Sequence, residues 1–276
     1  MAWGGRRCPQ PGRTAPVQSS AMLDLDAYLA RVGVGGRPGL AELHRAHVTT
    51  IPFENLDPRR GTPVSLEPED LERKLVTERR GGYCFEQNLL LKSALEALGA
   101  EVVMYLARVR MGGVPGTPRP RTHLVLGVTD GRARWHADAG FGNGTLLEPI
   151  PFGPDGEYEQ SGWRFRVVED GPELVLQSTD RDGEWGDLYG FIPAPVPLID
   201  VMTSNWYTCT HPRSPFVTGL IVSSQRPDGG RISLSDWSGE LTFTEETPAG
   251  ATVTAVEAAA AGELIADRFG LEATLV

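Results

Sequence analysis

One short stretch combines the residue types that covalent catalysis needs. It is Arg80 to Asn88, RGGYCFEQN, in which two glycines precede a tyrosine and a cysteine. The glycines allow the backbone to turn sharply, so Cys84 stands in the first turn of a predicted helix. Unpaired backbone N–H groups and the positive end of the helix dipole favour a thiolate at that place. Cys84 is therefore a candidate nucleophile, and a buried structural cysteine is the alternative interpretation.

A cysteine nucleophile requires a general base, and a carboxylate usually orients that base. The chain has five histidines. We expect His44 and His47, on an early helix, to lie at the surface or at the edge of the core. His211 lies two residues from Cys209 in a predicted loop, so these two residues are a rival pair.

The remaining two histidines, His123 and His136, lie on adjacent predicted strands. Because the strands form a hairpin across Asp130-Gly131, Asp138 is placed within hydrogen-bond reach of His123. His136 and Asp138 share one face of their strand. The spacing therefore predicts a histidine–carboxylate pair but leaves His136 open as the base.

The run from Gly140 to Gly144, GFGNG, directly follows the carboxylate. No helix pattern comes after it, so it is not a dinucleotide-binding fingerprint. Small residues around an aromatic side chain suit a loop that lets a long, thin ligand pass close to the backbone. The sequence contains no paired CxxC, no HExxH and no phosphate-binding P-loop, and we expect no metal.

The elements that must position these residues fall into three regions. The predicted helical bundle spans 22–99, the predicted antiparallel β-barrel spans 100–199, and a mixed α/β lid spans 200–276. Apolar residues spaced three and four apart predict four helices. The first covers 24–33 and the second starts at 38. The third follows residue 65 and ends before 81, and the fourth covers 84–98. Alternation predicts the barrel strands, at 102–110, 122–129, 132–138, 163–168 and 174–177.

The third region begins after the proline-rich linker at 192–198. We expect a short helix near 200–208, then strands around 217–223, 232–234 and 241–244, and a final helix over 252–269. The fold class predicted from these three regions is α+β.

Composition excludes several functions. With 26 Lys and Arg against 36 Asp and Glu, the net charge is −10, so nucleic acid and anionic membranes are not expected partners, although a local basic pocket for a small phosphorylated ligand is allowed. The 33 glycines and 22 prolines are too many for a plain helical bundle. Three cysteines, an odd number, indicate that the protein is located in a reducing cytoplasm. Residues 1–21 are expected to be a disordered tail, or to result from a mis-assigned start codon when translation in fact begins at Met22.

Five separated motifs follow one another along the chain. They are IPFENL at 51–56, RGGYCFEQN at 80–88, Thr122-His123, DAGFG at 138–142, and the stretch from Ser204-Asn205 through Thr210-His211-Pro212 to Phe216. In type and in order these motifs resemble those of the arylamine N-acetyltransferases. The resemblance covers about residues 22–276. It implies a Cys84–His123–Asp138 triad and so selects His123 over His136. It also implies a helical bundle, barrel and lid around a cysteine-protease-like catalytic core.

The same resemblance implies the reaction and its ligands. Acetyl-CoA, a co-substrate and not a permanently bound cofactor, would acetylate the cysteine. The nitrogen of an arylamine or arylhydrazine would then accept the acetyl group, as in xenobiotic metabolism. Roles are implied for the aromatic pocket (Phe53, Phe141, Phe216), the pantetheine contacts (Thr122, Gly140, Gly142) and an oxyanion donor (the backbone N–H of Phe85). A cytoplasmic monomer or homodimer is expected.

Three other functions fit parts of this pattern. A related amide synthase would use the same triad to release a polyketide chain as a macrolactam, with its acyl group taken from a carrier protein. A cysteine hydrolase of the papain or transglutaminase kind also uses Cys, His and Asp in this order, but the papain-type CGSCW run is missing. A non-catalytic binding module would retain the fold and tolerate loss of Cys84.

Overall fold

The computed structural model describes residues 23–114, 116–179 and 183–272, so the tail predicted at 1–21 lies outside the described residues. The helices are α1 (Leu25–Val32), α2 (Leu40–Thr50), α3 (Leu56–Arg59), α4 (Pro68–Leu71), which continues as a π-helix over Glu72–Thr77, α5 (Cys84–Ala97), α6 (Leu198–Thr210), α7 (Pro215–Thr218) and α8 (Ala261–Phe269), with a 3-10 turn at Ala258–Ala260.

Local capping explains why the first helices begin and end where the sequence predicts. The Asp24 side chain accepts the N–H of Ala27 at 3.0 Å, and Gly33 ends α1 with a φ of 77°. At the start of α5, the carboxylate of Glu86 accepts the backbone N–H of Tyr83 at 3.0 Å. The apolar faces of α1, α2 and α5 then meet in one core cluster, which fixes the direction of α5.

The strands form two antiparallel sheets. They are β1 (Phe53–Glu54), β2 (Glu101–Val109), β3 (His123–Asp130), β4 (Ala133–Ala137), β5 (Ile150–Pro151), β6 (Glu157–Gln160), β7 (Trp163–Asp170), β8 (Glu173–Thr179), β9 (Trp185–Phe191), β10 (Ile221–Gln225), β11 (Arg231–Ser235), β12 (Thr242–Thr247) and β13 (Gly250–Ala255). The larger sheet has eight strands in the order β5-β4-β3-β2-β9-β8-β7-β6 and forms a nearly closed barrel. The α+β class with helical, barrel and lid parts is confirmed.

The smaller sheet has the order β1-β10-β11-β12-β13 and lies in the last part of the chain, except for its first strand. β1 comes from the helical region and pairs with β10, Phe53 opposite Ser223. Helix α8 packs on this sheet through Ile265 and Phe269. Phe53 therefore connects the sheet to the region that carries the nucleophile.

Two expectations for the last region are wrong in detail. The helix predicted over 252–269 is helical only from Ala261, because its beginning belongs to β13, where Thr252 and Val253 are β-branched residues that suit a strand. The strand predicted at 217–223 begins only at Ile221, since Ser214 caps the short helix α7.

Candidate active site

Cys84 is the first residue of α5 and is almost completely buried. Its Sγ lies 3.5 Å from the carbonyl oxygen of Thr122. The glycines before it are required by close approach: a Cβ on Gly82 would lie 2.8 Å from the carboxylate of Glu86, and one on Gly81 would lie 2.3 Å from a backbone oxygen. The turn predicted from the two glycines thus delivers the cysteine to the start of the helix.

The barrel hairpin brings His123 to Asp138. His123 Nε2 donates to Asp138 Oδ2 at 2.7 Å, and both side chains are buried. The other carboxylate oxygen, Oδ1, accepts the Asn88 side chain and the backbone N–H of Gly140, each at 2.9 Å. With Nε2 occupied by the acid, Nδ1 of His123 is left for Cys84. The structure therefore brings the three predicted catalytic residues together.

Charge in this buried group favours a protonated histidine. Burial alone would lower the pKa of His123, but the charge and hydrogen bond of Asp138, together with a hydrogen bond to Cys84 and its charge, raise it to about 10. Burial would raise the pKa of Asp138, but the charge and hydrogen bond of His123 and the donors from Asn88 and Gly140 lower it to about 2. An imidazolium held between a carboxylate and a sulfur atom is the form that this geometry stabilises.

His136, the alternative base, is held elsewhere. Its Nε2 shares a hydrogen bond of 2.7 Å with the hydroxyl of Tyr189, and burial lowers its pKa to about 4. The members of the rival pair make other contacts: Cys209 is buried with its Sγ facing the carbonyl of Trp206, whereas His211 is half-buried and stacks on a tyrosine. Neither arrangement presents a histidine to a cysteine.

The expectation that His44 and His47 lie near the surface is wrong, because both are fully buried. His44 Nε2 accepts the backbone N–H of Asp138 at 3.1 Å. His47 links Tyr28 and Gln87 through its two ring nitrogens, each at 2.7 Å. Burial lowers the pKa of His44 and lowers that of His47 to about 3. Both act as neutral buried hydrogen-bonding groups, and His44 fixes the backbone of the acid.

Asn88 is a further site residue that the sequence reading did not single out. Its Nδ2 donates to Asp138 and to the carbonyl of Leu124, and its Oδ1 accepts the N–H of Ala139 at 2.9 Å. Asn88 lies four residues after Cys84 on the same helix face. That spacing within RGGYCFEQN is the signal that could have identified it.

A buried charge cluster supports the start of α5. Lys74 Nζ lies 2.7 Å from carboxylate oxygens of both Glu86 and Asp57, and Arg80 reaches Glu54 at 3.0 Å. Burial raises the pKa of Glu86 to about 7, although the charge of Lys74 opposes this. The cluster ties the π-helical segment and the residues around β1 to the turn that precedes the nucleophile.

The nucleophile and base open onto a cleft of about 1080 Å³. Five of the predicted ligand contacts line it: Phe53, Thr122, Gly140, Phe141 and Phe216. The other two do not line it. Gly142 lies behind the ring of Phe53, where a Cβ would approach that ring to 3.3 Å, and the side chain of Phe85 is packed in the core.

The aromatic residues of the cleft surround the reacting pair. The ring of Phe141 meets that of His123 edge-on, with centroids 5.2 Å apart, and Phe53 and Phe216 pack against each other at 6.2 Å. Within 23–114, 116–179 and 183–272 no group of three or more His, Cys, Asp or Glu is arranged to hold a metal ion. In the same parts of the chain, no helix has the length and apolar character needed to cross a membrane.

Comparison with known proteins gives a consistent result. The family model described as N-acetyltransferase matches residues 38–275. An arylamine N-acetyltransferase of Mycolicibacterium smegmatis is 44% identical over 212 residues, which are 73% of this chain and 76% of that protein. One of Mycobacterium tuberculosis is 37% identical over 258 residues, covering 90% of this chain and 89% of the relative.

Solved structures agree with the sequence relatives. The arylamine N-acetyltransferase of Mycobacterium marinum in complex with CoA has a TM-score of 0.84 and 36% identity, and the match covers 90% of this chain and 93% of that one. The Nocardia farcinica arylamine N-acetyltransferase has a TM-score of 0.84 and 40% identity, covering 93% of this chain and 92% of the other. The fold, the cleft and these similarities together show that the chain belongs to the arylamine N-acetyltransferase family.

Proposed function

We propose that this protein transfers an acetyl group from acetyl-CoA to the nitrogen of an arylamine or arylhydrazine, with an acetyl-cysteine at Cys84 as the intermediate. The observation that carries the proposal is the hydrogen bond of 2.7 Å between His123 and Asp138, with Cys84 and His123 lining one cleft. Family membership supports the overall reaction. The roles of individual residues follow from their contacts.

In the first half-reaction the Cys84 thiolate attacks the thioester carbonyl of acetyl-CoA. A new C–S bond forms to Cys84, the bond from the carbonyl carbon to the CoA sulfur breaks, and the His123 imidazolium gives its proton to the departing thiolate. The backbone N–H of Phe85, at the second residue of α5, is free of the i−4 bonds of the helix and is assigned to the developing oxyanion.

In the second half-reaction the amine nitrogen attacks the acetyl-cysteine. His123, now neutral, accepts a proton from that nitrogen, the amide C–N bond forms, and Cys84 leaves as a thiolate. Asp138 holds the Nε2–H of His123, so Nδ1 stays available for both proton transfers. The two substrates react in turn, which predicts ping-pong kinetics.

The cleft wall suits an aromatic acceptor and a thin donor chain. Phe53, Phe141 and Phe216 give an apolar surface for an aryl ring. Thr122 and Gly140 present little bulk beside the nucleophile, and a Cβ on Gly140 would lie 2.6 Å from the Cα of Cys84. We assign these two positions to the pantetheine chain of CoA, and Gly142 to support of the Phe53 ring.

Intact-mass measurement after brief exposure to acetyl-CoA tests the intermediate. One added acetyl group is expected on the wild type and on Cys209→Ala, the matched control in which the other described cysteine is removed. Cys84→Ala should stay unmodified. Addition of an aniline should remove the acetyl group and yield the amide.

Three results would contradict the proposal. They are a wild type that remains unmodified, activity with acetyl-CoA that survives Cys84→Ala, and release of free acetate without amide. The last result would favour a hydrolase.

Three broader predictions belong to the same proposal. We propose that 22–99, 100–199 and 200–276 act as the nucleophile-bearing, barrel and lid parts. The sparse, odd set of cysteines supports a cytoplasmic location. The protein is expected to be a monomer or a homodimer, and size-exclusion chromatography with light scattering distinguishes these states.

A further inference from the structure

The carboxylate of Glu86 is a buried acceptor that has a donor at each of its oxygens. The side chain is only 1% exposed. Oε1 lies 2.7 Å from the Nζ of Lys74, and Oε2 accepts the backbone N–H of Tyr83 at 3.0 Å. An ionised carboxylate fits two such donors, whereas a protonated carboxyl or an amide would turn a hydrogen toward one of them. The geometry therefore requires Glu86 to be charged.

Lys74 supplies the positive charge that this carboxylate faces. It belongs to the π-helical segment after α4 and is 7% exposed. Its Nζ also lies 2.7 Å from Asp57 and 3.7 Å from Glu54, and Arg80 Nη2 lies 2.7 Å and 3.0 Å from the same two acids. The charged groups around Glu86 thus come from the π-helix, α3, β1 and the turn before α5. When all five are ionised, three acids and two cations leave an excess of one negative charge.

The turn before the nucleophile lies directly on this carboxylate. A Cβ on Gly82 would lie 2.8 Å from Oε2 of Glu86, so the two groups are in close contact. Tyr83, whose N–H the carboxylate accepts, is the N-cap of α5 and directly precedes Cys84. A displacement of the carboxylate would therefore move the sulfur of Cys84 relative to His123.

The charge of Glu86 is sensitive to pH near neutrality. Burial raises the pKa of Glu86 to about 7, the charge and hydrogen bond of Lys74 oppose this rise, and the charge of Glu54 adds to it. The pKa of His123 is raised to about 10 and that of Asp138 is lowered to about 2. A change of rate near pH 7 therefore distinguishes the titration of Glu86 from that of the histidine–carboxylate pair.

We infer that Glu86 is a positioning residue for the acetylation of Cys84. Paired with Lys74, its carboxylate holds the N–H of Tyr83 and so sets the nucleophile against its base. The inference rests on the proposed function, and Glu86 acts through the backbone and not on the reacting atoms. Protonation of Glu86 would turn an O–H toward one of its two donors and release the turn. Acetylation should therefore become slower as the pH falls below 7.

The rate of single-turnover acetylation at saturating acetyl-CoA, followed by intact mass from about pH 6 to about pH 9, tests this role. The wild-type rate should fall about fivefold from pH 7 to pH 6, because a group with a pKa of about 7 loses about that share of its charged form. Glu86→Gln should acetylate about 100-fold more slowly at pH 8, the size expected for a misplacement of about 1 Å, with the affinity for acetyl-CoA unchanged. Its rate should no longer change near pH 7.

Variants of Lys74 provide a second readout. Lys74→Met should move the change of rate to higher pH, because the charge of Lys74 lowers the pKa of Glu86. Lys74→Arg, which keeps the charge, should return the profile toward that of the wild type. A purely structural role would lower the unfolding temperature of these variants without moving the profile.

A double variant covers the case in which a single change prevents folding, since removing one partner of a buried pair is strongly destabilising. Glu86→Gln with Lys74→Met keeps the excess of one negative charge. The amide oxygen can then accept the N–H of Tyr83, because no ammonium faces its NH2 group. This variant should acetylate within about tenfold of the wild-type rate at pH 8, without a change near pH 7.

Glu96→Gln is the matched control, because Glu96 pairs with Lys92 at 2.7 Å on the same helix but is exposed. The inference would be overturned by a wild-type rate that is constant from about pH 6 to about pH 8. It would also be overturned by a change near pH 7 that persists in folded Glu86→Gln or in the double variant. A wild type that acetyl-CoA does not acetylate at any pH would instead contradict the proposed function, so the two failures are distinguishable.

Discussion

Replacing Asp138 by asparagine tests the triad most directly, because the change alters one atom and keeps the shape of the side chain. Oδ1 of Asp138 accepts donors from Asn88 and Gly140, so the oxygen of the new amide must remain on that side. The NH2 group then faces His123 Nε2, which can no longer donate. The imidazole must shift to the tautomer with its proton on Nδ1, where it cannot accept the proton of Cys84.

The size of the loss follows from this change of tautomer. An amide in place of the acid of a Ser-His-Asp triad reduces turnover by about 10⁴-fold, and we expect an about 10³- to 10⁴-fold slower acetylation of Cys84. The pKa of His123, about 10 in the wild type, should also fall, because burial lowers it and the charge of Asp138 no longer compensates. Wild-type acetylation should therefore persist up to about pH 10, where the imidazolium is lost.

Single-turnover acetylation followed by intact-mass measurement gives the rate. Asp130→Asn is the control, because Asp130 is an exposed residue at the end of β3. Thermal unfolding of both variants shows whether the fold is retained. Acetylation of folded Asp138→Asn within about tenfold of the wild-type rate would refute the reasoning, and so would a pH profile unchanged from that of the wild type.

Other changes probe the surroundings of the site. His136→Ala should acetylate within about tenfold of the wild-type rate, since the Nε2 of His136 bonds Tyr189 instead of the acid or the nucleophile; a loss equal to that of the triad variants would reassign the base. Gly140→Ala should lower kcat/KM about 100-fold, because the new Cβ would displace the nucleophile, whereas Gly186→Ala, with its nearest neighbour at 3.9 Å, should not. Burial lowers the pKa of His47 from 6.5 to about 3, so this side chain is neutral in the folded protein. Its contribution to the free energy of unfolding is therefore complete above about pH 6.5 and decreases by about 3 kcal/mol on acidification to pH 4. Thermal unfolding against pH should show a shallower decrease for His47→Gln than for the wild type or His211→Gln, and equal slopes would contradict this.

The features that the sequence predicts well depend on short-range rules. The cap at Asp24, the stop at Gly33 and the helix that begins at Cys84 each need only a few neighbouring residues. The β3–β4 hairpin is equally local, and its Asp130-Gly131 turn is enough to bring Asp138 near His123. The histidine–carboxylate pair was therefore predictable from local spacing, whereas the choice of His123 over His136 came from the family resemblance.

The features that were missed depend on contacts between distant segments. His136 is excluded as the base by Tyr189, which lies on β9, a strand whose glycines obscure its alternation. His44 is buried because it meets the backbone of Asp138, 94 residues away. The cleft wall is built from loops of both the barrel and the lid, so no local pattern shows which of their residues face it.

The short strand β1 has a consequence for how the chain reaches its native state. Phe53 pairs with Ser223, 170 residues later, and also bridges to Gly82. Pairings across such separations close late, because the entropy lost in closing a large loop is recovered only when the partner strand arrives. During synthesis, β1, next to the segment that carries the nucleophile, cannot pair until β10 has left the ribosome. A polypeptide truncated after residue 199 should therefore expose an unpaired strand beside its cysteine and require the missing piece, supplied in trans, to become ordered.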